Sequence, residues 1–498
     1  MSALITSLWL AASIASSAGQ VPEANLVLLP VASDPTISFR IWFRVGSQHD
    51  PAGKEGLAAL TAAMLTEAST EQDPYERILE RLYPMAAGYS SSTNVEMTVI
   101  SGRVHRDNLN DYYPLFVQAI LSPAFQQADL DRLKSDVLNY LENTLRYASD
   151  EELGKAVLYQ EIFAGTPYGH LPVGTVTAVK SLTLDDIREF YRTHYTRDNV
   201  VVGLGGGYDA DLVARLRADL GRLPPGTPPA VPPPAPRPFT GLRVTIVEKD
   251  ANATAISLGY PLDLLRNNPA WYPLALANSW LGEHRNSSSH LFQVIRDQRG
   301  LNYGDYSYIE HYPNGGALTK PPQNVCRRQQ LFEIWIRPVP NENRHFALRA
   351  ALRELQSLVD NGLSDEQFEL TRKFLRNYVL HYATTTSERL GYALDDHFYG
   401  IPGSHLDLFR RRMEDVTRAE VNAAVKKYLQ DDNLQIVFVT PDAEGLKQAL
   451  VSDAPSPITY ATPKSDAVLA ADREISVLPL KIRPDAVKII PVGQLFEN

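Results

Sequence analysis

The chain has 498 residues, 44% hydrophobic and 21% charged, with a formal net charge of -10. That length exceeds one ordinary core, so two or more domains are expected, and the composition is that of a folded globular protein. The acidic balance, with scattered lysines and arginines, argues against nucleic-acid binding, and the single cysteine, Cys326, excludes an internal disulfide framework or a cysteine-ligated metal cluster.

In chain order, residues 1–20 are apolar and close on Ala15-Ser16-Ser17-Ala18-Gly19, which fits a secretory leader cut near Ala18 or Gln20, although the usual positive n-region is missing. That reading predicts a periplasmic or secreted protein; the alternative is a frayed or mis-started N-terminus on a cytoplasmic one. No later apolar run approaches the roughly 20 residues needed to cross a bilayer, so no membrane span is expected. Strands are predicted over 37–45, 96–104, 244–247, 255–260 and 332–336, with helices between them. Residues 56–65, Gly-Leu-Ala-Ala-Leu-Thr-Ala-Ala-Met-Leu, read as an alanine-rich core helix. Gly203-Leu204-Gly205-Gly206-Gly207 lacks the lysine and frame of a phosphate loop and reads as turn glycines after a strand.

A proline-dense linker over 223–240 splits the chain into a domain over 21–222 and another over 241–460, and a tail over 461–498 reads as an arm on the surface. The two halves close on the same pattern. Thr183 with Asp186 and Thr417 with Glu420 form capping-box pairs, each leading through a helix to an Asp-Asn turn, Asp198-Asn199 and Asp432-Asn433, and then to a β-rich strand. The offsets agree, since 417 - 183 = 234 and 432 - 198 = 234. Ser364 with Gln367 opens a further long helix. These elements predict an α+β fold, two homologous sandwiches of a mostly antiparallel sheet with helices on one face.

Several motifs then resemble the pitrilysin/insulinase family of zinc peptidases. Before the alanine helix stand Phe43-Arg44-Val45-Gly46-Ser47 and Gly53-Lys54-Glu55-Gly56; after it, Thr166-Pro167-Tyr168-Gly169, Pro172-Val173-Gly174-Thr175, Phe190-Tyr191 and Tyr195. In the second half, Leu281-Gly282, Ser289-His290-Leu291-Phe292-Gln293 and Arg299-Gly300-Leu301-Asn302-Tyr303 continue the likeness, which runs from about Asn25 to Leu450. The family helix carries His-x-x-Glu-His, two zinc-binding histidines around a general-base glutamate. Here the histidine positions are Ala59 and Ala63 and the glutamate position is Ala62. The later ligand glutamate falls near Leu141 and Glu142, with Leu141 the better register. Alanine offers a metal no lone pair, so no metal is expected in this chain.

The resemblance implies two homologous domains forming half of a clam-like chamber. It also places the family's substrate-binding arginine and tyrosine on Arg296 and Tyr303, expected at a helix over 291–299 and a strand over 301–309. Glu283-His284 with His290, Glu310-His311, and Asp395-Asp396-His397 with His405 lack convincing ligand spacing and read as solvated or hydrogen-bonded histidines. The function implied is a non-catalytic, substrate-binding subunit that pairs with a homologous zinc-bearing chain, takes peptides or unfolded segments, and leaves the zinc to its partner. The alternative is a purely structural or peptide-binding protein of the same fold.

Overall fold

A computed structural model describes residues 19–313 and 318–498, and the leader expected over 1–20 falls almost wholly outside them. The first half supplies strands β1 (Leu26–Pro30), β2 (Thr36–Phe43), β3 (Gly88–Thr93), β4 (Thr98–His105) and β5 (Val200–Gly206). The second supplies β6 (Arg243–Glu248), β7 (Ala253–Leu262), β8 (Asp305–Tyr308), β9 (Gln330–Pro340) and β10 (Gln435–Thr440), and the tail adds β11 (Val487–Pro491). The first sheet runs β1-β5-β2-β4-β3 and the second β11-β6-β10-β7-β9-β8. Without β11 the two orders coincide strand for strand. Among these five-strand sets only β1 with β5 and β6 with β10 are parallel, and β11 adds a further parallel pairing to β6. The duplication read from the capping boxes is therefore a duplication of topology, and all three boxes form: Thr183 with Asp186, Ser364 with Gln367 and Thr417 with Glu420.

Each sheet is covered on its second face by a helix from the other half. The Asp150–Ile162 helix crosses β7, β9 and β10, while the Thr386–Tyr399 helix lies on β1, β2 and β5. Trp42, Val99 and Val201 thus share a core with Leu390 and Leu394, and Val437 and Val439 share one with Leu153 and Val157. Because both faces are buried, β5 and β10 are buried along their whole length.

Two sequence expectations change here. Gly203 and Gly205 are strand residues of β5 facing the crossing helix, with Thr386 and Leu390 beside Gly205, rather than turn glycines. The tail is no surface arm: it contributes a helix, Asp466–Ile475, and an edge strand parallel to β6, and it buries Leu495 and Phe496 in the first half's core. Its scattered apolar residues hid this, because each packs against a different distant element. The proline-rich segment has neither helix nor strand; it is pinned by Asp198, which accepts from Gly226 N, and by Arg328, which donates to Val231 O.

Candidate functional site

The alanine helix spans Leu57–Thr66. Its N-terminus is closed by Asp50, whose buried carboxylate accepts from Gly56 N at 2.8 Å and Ala58 N at 2.7 Å and meets His170 Nε2 at 3.2 Å. A cap six and eight residues upstream has no local spacing to betray it. Gly56, at φ +98°, packs against Val173 and Gly174, which explains why those two glycine motifs occur together. Ala59 and Ala63, four residues apart, share the partly exposed side, while Ala62 is buried.

The residues at the motif positions do not fit a zinc ion. Leu141 is fully buried among apolar side chains, and Glu142 turns to Lys180, 3.0 Å away. Among the described residues no group of three His, Cys, Asp or Glu side chains is placed to hold a metal. Three methyl groups and a carboxylate already paired to lysine do not meet zinc's need for about three converging N, S or O ligands.

Arg296 sits in the short, wide-turned π-helix Phe292–Asp297, its side chain 42% exposed, 3.5 Å from Asp297 and over the Phe292 ring. Tyr303 is 79% exposed and lies in a loop, not in the strand expected from 301. The strand starts at Asp305 because Asn302 makes a turn first: its Oδ1 accepts from Gly304 N while its Nδ2 donates to Asp305 Oδ1 and Arg337 O. Both side chains are thus presented to solvent on neighbouring segments.

Of the two readings the sequence offers for the histidines of the second half, solvated or hydrogen-bonded, His284, His290 and His405 take the hydrogen-bonded one, and neighbouring carboxylates gather around a buried arginine. Arg266 donates to Glu310 at 3.0 Å and to Asp395 at 3.3 Å. His284 lies between Tyr308 Oη and Leu318 O, and His405 faces Tyr272 Oη. Burial holds His284 down at about 4 and His405 well below its ordinary value. His290 pairs with Glu354 and stacks on Trp280. Cys326 is buried beside this cluster. Sequence reasoning missed Arg266 because its partners stand 44 and 129 residues away.

The family profile described as Insulinase (Peptidase family M16) matches residues 26–170, and that of the Peptidase M16 inactive domain matches residues 181–375. The chain belongs to the M16 peptidase family. An uncharacterized zinc protease of Streptomyces coelicolor is 26% identical over 356 residues, 69% of this chain and 72% of the relative. The non-peptidase homolog YmxG of Helicobacter pylori is 22% identical over 439 residues, 84% of this chain and 93% of the relative. The crystal structure of a peptidase M16 inactive domain from Pseudomonas fluorescens superposes with a TM-score of 0.74 at 22% identity, covering 84% of this chain and 95% of that one. Within the M16 family this chain is a non-catalytic member, its motif positions being Ala59, Ala62 and Ala63. No helix among the described residues is long and apolar enough to cross a membrane.

Proposed function

We propose that this chain is the substrate-binding subunit of a heteromeric zinc peptidase, pairing with a homologue that keeps His-x-x-Glu-His and supplying Arg296 and Tyr303 to the partner's site. The carrying observation is selective loss: the metal positions are methyl groups, while the guanidinium, beside Asp297, and the phenol are both retained and reach solvent. A guanidinium and a phenol can donate to a peptide carbonyl as negative charge builds on it. The open edge of β3, paired only with β4, supports peptide binding, since an extended segment can hydrogen-bond along it. Peptides or unfolded segments are the substrates in this reading, the zinc belongs to the partner, and the pair works outside the cytoplasm.

The test is to purify the chain alone and together with a zinc-motif homologue, and to assay peptide cleavage. The chain alone is expected to cleave nothing. In the complex, Arg296→Ala or Tyr303→Phe is expected to lower kcat by about 10²-fold with assembly intact by gel filtration. Zinc-dependent cleavage by this chain alone overturns the proposal; intact activity in both variants favours a purely structural or peptide-binding role.

A further inference from the structure

The second half encloses a cavity of about 90 Å³ between the Trp271–Gly282, Asp365–Tyr378, Thr386–Tyr399 and His405–Asp415 helices and the segment around Glu310. The first of these helices holds, in this half, the place of the alanine helix: each precedes its sheet's edge strand and packs on it and on the capping-box helix, Leu184–His194 or Arg418–Tyr428. Neither Arg296 nor Tyr303 lines the cavity.

Its charges do not balance. Arg266 faces two carboxylates, Glu310 and Asp395. Glu283, also on the wall, has no cation among the described residues acting on its carboxyl. Burial pushes its carboxyl up to about 7, with Ser279 the one group that stabilises the charged form. His284, His311 and His405 add no positive charge, because burial keeps each below its ordinary value. Left alone, the Glu283 carboxyl at this desolvated wall holds its proton up to about pH 7; a cation seated against it would let it ionise.

The remaining wall suits an organic cation over a bare metal. Tyr308, Tyr312, Tyr382 and Tyr392 line the space, and aromatic faces attract ammonium groups. Three buried polar atoms of lining residues have no hydrogen-bond partner: Trp271 Nε1, Asn278 Oδ1 and His311 Nδ1. The Asn278 amide is oriented by its Nδ2, which donates to Ser307 O at 3.1 Å, so its Oδ1 is left as an acceptor without a donor. The volume is well below the roughly 300–1,000 Å³ of drug-sized sites. That is room for a head group of a few heavy atoms.

We propose that this cavity binds a small alkylammonium group, its charge paired with Glu283, its N–H shared with Asn278 Oδ1 and its methylenes against the tyrosine rings. The group can arrive as a free amine or as the lysine side chain of a peptide. Calorimetric titration of the full chain with propylammonium chloride is expected to show saturable one-to-one binding, and propanol, its neutral counterpart, none. Glu283→Gln is expected to weaken binding by at least about tenfold, as loss of a charge-assisted partner should. Should that variant fail to fold, Tyr382→Leu, which removes a π face, is expected to weaken it also. Competition by a lysyl peptide assigns the site to peptides; amine binding without such competition assigns it to free amines. Equal binding of propanol, no saturable binding at millimolar amine, or unchanged affinity in a folded Glu283→Gln protein overturns the proposal.

Discussion

Leu394, on the Thr386–Tyr399 helix of the second half, occupies the space that a side chain on Gly203 of β5 would need. A Cβ there would stand 2.8 Å from Leu394 Cδ1 and 2.9 Å from the Arg40 carbonyl oxygen. The leucine tip can shift but the carbonyl belongs to the neighbouring strand and cannot. Gly203→Val is therefore expected to destabilise the protein by about 1–3 kcal/mol through overpacking. Leu394→Ala in the same chain should recover part of the loss, because it empties the space the valine needs. Chemical denaturation of the three variants checks this, and simple additivity of the two single effects would count against a direct contact.

Glu333 gives the fold a pH dependence of known sign. It is fully buried on β9, accepts from Tyr159 Oη at 2.9 Å through Oε1, and leaves Oε2 without a partner. Burial pushes its carboxyl from 4.5 up to about 7 even with Lys155 nearby. The folded state thus keeps a proton that the unfolded chain releases, so this group's contribution is complete below pH 4.5 and is lost as pH rises to 7. The shift corresponds to roughly 3 kcal/mol. Glu283 and Asp396, also pushed to about 7, slope the same way. Glu333→Gln, which stays neutral, is expected to reduce the fall in stability across that window by about one proton's worth without abolishing it. Identical slopes in urea titrations of the two proteins would remove Glu333 from this role.

What the sequence disclosed follows from the range of the signals. Thr183, Ser364 and Thr417 announce their helices through a partner three residues on, and each box forms. The strands predicted over 37–45, 96–104, 244–247, 255–260 and 332–336 overlap β2, β4, β6, β7 and β9, because alternation and β-branching are local properties, whereas the one expected over 301–309 begins only at Asp305. The exchange of crossing helices left no such mark: Gly154 abuts Ser257 and Gly205 abuts Thr386, contacts between residues more than 100 positions apart. The candidate site divides the same way. The loss of zinc ligands is visible at Ala59, Ala62 and Ala63 alone, whereas the cap from Asp50 and the charge cluster at Arg266 exist only once the chain has folded.

Restoring the motif should not restore the site. Ala59→His, Ala62→Glu and Ala63→His together would return two nitrogen ligands and a base to one face of the helix. The third ligand position would still be empty, with Leu141 buried in the core and Glu142 held by Lys180. Zinc affinity depends on several ligands acting together, so the triple variant is expected to lose its metal on brief dialysis and to show no peptidase activity. Stoichiometric zinc retained through dialysis, measured by atomic emission, would mean that another side chain completes the set.

Arg349 explains how an unpromising tail becomes part of the body. It lies in the Arg344–Asn361 helix with its side chain wholly out of solvent. Its Nη1 donates to Ala454 O, Ser456 Oγ and Ser476 O, its Nε to Leu478 O, and its Nη2 to Asp453 Oδ1. With Asp453 O, which also accepts from Nη2, six oxygens spread over residues 453–478 converge on one guanidinium, and the segment leading to β11 is fixed by that convergence. A lysine has three donors and no planar fork, so it cannot reach this set. Arg349→Lys is expected to leave several carbonyls buried without donors and to cost about 3 kcal/mol or more. The loss should be local before it is global: hydrogen exchange should accelerate first over residues 453–491, while β5 and the alanine helix keep their protection. Exchange that rises uniformly across both halves would mean the tail and the core unfold as one unit, and that Arg349 contributes only to the whole.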